Sequence, residues 1–272
     1  MENYIEVTLH TNHPGETEIM VALLADAGAI GFEEGKGVLK AIFGEKGFDG
    51  DSIKKIISLK NIVYSISNVE SKNWNAIWEA GFQPVLIGDF CCIRAPFHPV
   101  PGKVRHDILI TPKMSFGTGH HPTTFLVVEA MSRLEIGNAA VFDFGTGTGV
   151  LAILAEKCGA ATVTAMDNDE WSIRNATENF IANDCGKVML INAEKIPEHE
   201  LFDVILANIN RHVILLAMDS FKQHLLPGGI VLMSGLLTGD QEIVVQSAGA
   251  AGLVPVAVTE REGWICLQLG HA

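Results

Sequence analysis

Val141-Phe142-Asp143-Phe144-Gly145-Thr146-Gly147-Thr148-Gly149-Val150-Leu151-Ala152-Ile153-Leu154 decides the fold. An apolar strand ends in an acid, a glycine-rich turn follows, and a helix begins. Three alternate glycines let the backbone pass close to a ligand, because no Cβ intervenes and a positive φ costs nothing. A parallel strand feeding such a turn marks a nucleotide-type cofactor site.

Outward from this turn the chain alternates strand and helix. Strands fit residues 139–144, 162–167, 187–191, 202–208 and 229–234, with helical stretches between most of them. That pattern predicts a mostly parallel sheet with helices on both faces. The tail, 253–259 then 263–269, lacks an intervening helix and predicts a hairpin at one sheet edge. Upstream, residues 1–70 read as βαββαβ, a ferredoxin-like α+β module. Its second helix, 51–59, is expected to be capped by Asp51 or Ser52. Residues 71–120 form the expected connection, with strand-like runs at 85–95 and 106–110. Trp74 and Trp78 share a helical face there and read as seam packing. The expected domains are therefore 1–70, 71–120 and 121–272.

Composition narrows the function. Of 272 residues, 48% are hydrophobic, enough for a large core, and no apolar run reaches membrane-spanning length. The acidic start Met1-Glu2-Asn3 lacks a signal-peptide pattern, so a cytoplasmic protein without membrane contact is expected. Five scattered cysteines without C-x-x-C argue against disulfides or a zinc site. His120-His121 lacks a third ligand at helical spacing, so no metal is expected. The formal charge of −13, with six Lys and eleven Asp or Glu in residues 1–70, argues against gripping nucleic acid and suits a basic partner.

No G-K-[ST] follows the glycines, which excludes a P-loop. Gly147-x-Gly149-x-x-Ala152 with Asp167 matches a dinucleotide fingerprint, so an NAD-dependent dehydrogenase is one reading. Asp143 favours another. A carboxylate facing an incoming pyrophosphate would repel it, whereas it suits the cationic groups of S-adenosyl-L-methionine. Asp167 would then accept hydrogen bonds from the ribose hydroxyls. The plainer role for Asp143 is to cap the following helix. The strand 202–208 ends in Asn208-Ile209-Asn210, where amino methyltransferases place an Asn or Asp to hold the target nitrogen. Asn208 could equally cap the helix after it.

Met114-Ser115-Phe116-Gly117-Thr118-Gly119-His120-His121-Pro122-Thr123-Thr124, joined to the glycine turn and to Ala207-Asn208-Ile209, closely resembles the PrmA family, the bacterial methyltransferases of large-subunit ribosomal protein eleven. The resemblance extends through Leu226-Pro227-Gly228-Gly229 and Glu262-Gly263-Trp264. It implies a small substrate-recognition domain before a class I, Rossmann-like methyltransferase domain with a seven-stranded sheet. It implies donor contacts at Thr124, Gly145, Asp167 and Asn208, with Phe116–Gly119 closing over the cofactor. Asp143, Gly147 and Thr123 are further candidates. Asn192, Ala193 and Glu194 are weaker ones on the adenine side. Asn208, with the Ile209 backbone, would position the acceptor amine. Lysine ε-amines and an N-terminal α-amine are the implied targets. His120, Ser115, Lys113 and Asn210-Arg211 depart from the family pattern, which bears on the acceptor lip. A protein-lysine methyltransferase with another target, a nucleic acid amino-methyltransferase and a non-catalytic binding module are the remaining readings.

Overall fold

A computed structural model describes residues 4–11, 14–35, 37–46, 48–58, 62–69, 83–100, 102–111 and 119–271. Trp74, Trp78 and Phe116 lie outside these residues. The chain divides into two compact units, Met1–Phe82 and Gln83–Ala272.

The first unit runs β1 (Tyr4–His10), α1 (Pro14–Asp26), β2 (Gly31–Gly35), β3 (Val38–Gly44), α2 (Gly50–Ser58), β4 (Val63–Val69). Its four strands lie in the order β2-β3-β1-β4, each pair antiparallel. Period-two alternation sets the inner face: Ile5, Val7 and Leu9 of β1 are buried beside Leu39, Ala41 and Phe43 of β3. Met20 and Leu24 of α1 and Ile53 and Ile57 of α2 complete that core. The cap of α2 is Asp49, not Asp51 or Ser52. The helix begins earlier than the sequence reading placed it, and Asp49 accepts from the Asp51 and Ser52 amides at 3.1 and 3.2 Å.

The second unit opens with β5 (Val85–Ile87), β6 (Cys91–Arg94) and β7 (His106–Leu109) in one small sheet. The expected single strand 85–95 is broken here. Gly88 adopts φ +55°, and the chain folds back as an antiparallel hairpin. Arg94, buried, pairs with Asp107 through two hydrogen bonds of 2.8 Å.

The main sheet contains β8 (Ala140–Phe144), β9 (Thr162–Asp167), β10 (Val188–Asn192), β11 (Phe202–Asn208), β12 (Leu225–Leu237), β13 (Leu253–Arg261) and β14 (Trp264–His271). Their order is β10-β9-β8-β11-β12-β14-β13, and β14 runs antiparallel to both neighbours. The terminal hairpin is present, but its last strand inserts between β12 and β13, so β13 forms the edge. Helices α3 (Pro122–Met131), α4 (Val150–Lys157), α5 (Glu170–Ala182), α6 (Arg211–His224) and α7 (Gln241–Ala250) cover the faces. Alternate strand residues feed two cores. Val141 and Leu206 pack with Leu126, Leu151 and Phe180, whereas Phe142 and Ile205 pack with Ile214, Met218 and Phe221. The strand order reverses between β8 and β11. Ligands of open α/β sheets bind at the carboxyl ends of strands flanking such a switch point. Among the described residues no helix is long and apolar enough to cross a membrane.

Candidate functional site

At that switch point lies a cavity of about 380 Å³, within the range of small-molecule sites. Its walls bring together Gly145, Gly147, Asp167, Asn208 and Ile209, all singled out from sequence. Asn210, Gly235, His121, Ser172 and Trp264 also line it.

The turn after β8 is held by its neighbour β9. The amides of Gly145 and Thr146 both donate to the Met166 carbonyl at 2.9 Å. The Gly147 amide donates to Asp167 Oδ2 at 2.9 Å. Pyrophosphate sites present free backbone N–H groups to the anion. Here three of those donors are already spent within the protein, and the third is spent on a carboxylate. An anionic coenzyme would meet the Asp167 carboxylate on the cavity wall. A ligand bearing hydroxyls and positive charge meets acceptors instead. Asp167 Oδ1 also accepts from the Asp169 amide at 3.0 Å, which fixes its carboxylate at the end of β9.

Asp143 does not face the cavity, contrary to the sequence reading. It is 1% exposed and lies beneath the turn, where its Oδ2 accepts from the Thr146 hydroxyl at 2.6 Å. Its Oδ1 has no hydrogen-bond partner. It shapes the turn from below, because side chains at strand ends alternate between the two faces. Burial pushes its pKa up from 3.8 to about 7, with the Thr146 hydroxyl and the Ala152 amide pulling the other way. Folding therefore favours the protonated acid. The stability that Asp143 contributes is complete below about pH 4 and is lost as pH rises through about 7. The ligand-free protein should show a falling melting temperature from pH 5 to 8, and Asp143→Asn should flatten that fall. An equally steep profile in the variant would place the titration elsewhere.

At the end of β11, Asn208 donates through Nδ2 to the Thr124 hydroxyl at 3.3 Å. Its carbonyl oxygen Oδ1 is buried and has no hydrogen-bond partner. The capping role considered for Asn208 belongs to Asn210, whose side chain accepts from the Val213 amide at 3.2 Å at the start of α6. Asn208 is thus free of cap duty. Gly235 makes this arrangement possible. It takes φ +85°, and a Cβ there would stand 2.2 Å from the Ile209 carbonyl oxygen.

Thr123 and Thr124 begin α3 behind Pro122, as expected, but neither lines the cavity. The Thr123 hydroxyl lies 2.8 Å from His121 Nδ1, and the Thr124 hydroxyl serves Asn208. Asn192 ends β10 and Ala193 and Glu194 follow it, and none of the three lines the cavity. Ala193 donates to the Asp167 carbonyl at 3.0 Å. His120 Nε2 lies 2.8 Å from the Gln83 carbonyl. Arg211 pairs with Asp240 at 2.5 Å beside the lip.

The aromatic wall escaped the sequence reading. His121 packs edge-on to Trp264 with ring centroids 4.6 Å apart. Burial holds the His121 pKa below the usual 6.5. A His beside Pro122 and a Trp after Gly263 carry no local signal of contact, since they meet only when β14 inserts into the sheet.

The comparisons agree with this geometry. The family model described as "Ribosomal protein L11 methyltransferase (PrmA)" matches residues 32–271. The chain is 36% identical over 276 residues to the ribosomal protein L11 methyltransferase of Phocaeicola vulgatus, covering 97% of this chain and 98% of that protein. It is 37% identical over 240 residues to that of Chlorobaculum parvum, covering 82% of each. The solved ribosomal protein L11 methylase of Lactobacillus delbrueckii subsp. bulgaricus superimposes with TM-score 0.65 at 27% identity, over 70% of this chain and 99% of that one. With a sheet of this order, a cavity at its switch point and a family match along most of its length, the chain belongs to the ribosomal protein L11 methyltransferase family.

Proposed function

We infer that this chain methylates lysine ε-amines and the N-terminal α-amine of large-subunit ribosomal protein eleven, with S-adenosyl-L-methionine as donor. One observation carries the reading: Asn208 lines the cavity and its buried side-chain carbonyl has no hydrogen-bond partner. A buried acceptor without a partner costs about 1–3 kcal/mol. An incoming amine N–H would satisfy it.

When bound, the donor supplies a methyl group on a sulfonium, which is cationic and a good leaving group. Asp167 would accept from its ribose hydroxyls, with Gly145 and Gly147 beside it on the cavity wall. The chain's own work is then alignment and exclusion of water. A free lysine has a pKa of about 10.4 and is mostly protonated at pH 7. A site that buries the amine beside a cationic ligand favours the neutral, nucleophilic form. The Asn208 carbonyl would hold one amine hydrogen and so aim the nitrogen lone pair into the cavity.

The first unit would recognise the substrate. Its excess of acids over lysines suits a basic ribosomal protein. Incubation with labelled donor and separated ribosomal proteins and RNA should place label in large-subunit protein eleven. Label in RNA would overturn the substrate assignment. Asp167→Ala should weaken binding of S-adenosylhomocysteine at least about tenfold, because ribose contacts and the Gly147 anchor are lost together. An unchanged dissociation constant in calorimetry would reject that role.

A further inference from the structure

The glycine turn has a second anchor, on its far side. Asn175 and Asn179 of α5, and Asn183 at its C-cap, stand at four-residue spacing and are all buried. Asn183 accepts from the Leu109 amide at 2.9 Å and donates to the Leu109 carbonyl at 2.7 Å. Asn179 accepts from the Thr111 amide at 3.0 Å. Two residues of extended chain advance by about 6.6 Å and four residues of helix by about 6.0 Å, so the rungs keep step. Along Leu109 to Thr111, α5 takes the place of a neighbouring strand.

Asn179 does one thing more. Its Nδ2 donates to the Thr148 carbonyl at 2.8 Å, within the glycine turn itself. The next residue, Phe180, lies under Gly149, where a Cβ would stand 2.5 Å from the ring. Gly149 opens α4 at φ +83° with no side-chain cap. Strand β9 therefore holds the front of the turn through Met166 and Asp167, and α5 holds its back through Asn179 and Phe180. Asn179 is fully buried, and a second bond of 3.3 Å to Asn175 Oδ1 fixes its amide plane.

We propose that Asn179 is a positioning residue for the methyl-donor site, setting the height of the Thr148 carbonyl and with it the shape of the turn that carries Gly145 and Gly147. The proposal rests on the methyl-donor reading of the cavity. Asn183 supplies the control: it is buried in the same ladder and bonds the same strand, and although its Nδ2 also donates to the Asn179 backbone carbonyl at 2.8 Å, its side chain makes no bond to the turn.

The test is calorimetric titration of full-length Asn179→Ala and Asn183→Ala with S-adenosylhomocysteine, alongside melting temperatures and methyl transfer at saturating donor. Asn179→Ala should raise the dissociation constant at least about tenfold while leaving turnover at saturating donor within about threefold. Asn183→Ala should lower the melting temperature comparably and leave the dissociation constant within about twofold. Equal weakening by both variants, or by neither, would reduce Asn179 to a structural rung and overturn the proposal. If Asn179→Ala fails to fold, Asn179→Ser, too short to bridge Thr111 and Thr148, is read in the same way. A wild-type chain that binds no S-adenosylhomocysteine would instead overturn the donor reading on which the proposal stands.

Discussion

Asn208→Ala should lower methyl transfer at saturating donor by about a hundredfold, the cost typical of removing one preorganised hydrogen-bonding group from a reaction centre. Donor affinity should change by no more than about threefold if, as proposed, the lost carbonyl serves the acceptor amine. The unpartnered state of Oδ1 is what sets this expectation. Were that oxygen engaged by the protein, its removal would register as a loss of stability instead. Single-turnover transfer and calorimetry, run on the same preparation, separate the two effects. Thr124→Val should lie between the extremes, because it frees the amide to rotate but leaves the carbonyl in place. Normal turnover in Asn208→Ala would remove Asn208 from the acceptor site.

Gly235→Ala should be nearly as damaging by a different route. The added methyl would stand 2.2 Å from the Ile209 oxygen and 2.7 Å from its carbonyl carbon, and both are backbone. No rotamer relieves that overlap. The left-handed φ alone costs about 1–3 kcal/mol for a residue with a Cβ. A loss of this size lowers the melting temperature by about 2–4 °C per kcal/mol in a chain of this length. Ile209 must shift, and Asn208 shifts with it, so methyl transfer should fall at least about tenfold in the protein that remains folded. Gly228→Ala tests the argument, because Gly228 also has a positive φ but an added Cβ meets nothing within 4 Å. It should lose stability alone. Equal losses of activity in both variants would mean that strain, not displacement of Ile209, is responsible.

Much of this was legible because it is local. The strand–turn–helix around Gly145 shows in fourteen consecutive residues, and the acid ending the next strand shows at a fixed distance. Residues 4–10 and 38–44 alternate so regularly that their inner faces follow from the pleat alone. Asn208 was legible as a polar stop at the end of an apolar strand, though its freedom from cap duty was not. That freedom depends on whether the helix starts after 208 or 210, a difference of two residues that propensity does not resolve. Asp143 was misplaced because spacing gives position along the strand, not depth beneath the turn. Tertiary contacts were least legible. Trp264 reaches His121 only through insertion of β14 between β12 and β13. Asn179 reaches Thr148 across 31 positions of sequence.

The donor reading rests on the Gly145, Thr146 and Gly147 amides being spent on Met166 and Asp167, and on the Asp167 carboxylate on the cavity wall, which disfavours an anionic coenzyme. Parallel calorimetric titrations of the purified chain with S-adenosyl-L-methionine and with NADH test it most directly. The expected result is saturable one-to-one binding of the sulfonium compound and no heat from the dinucleotide. Saturable NADH binding with none of S-adenosyl-L-methionine would contradict it.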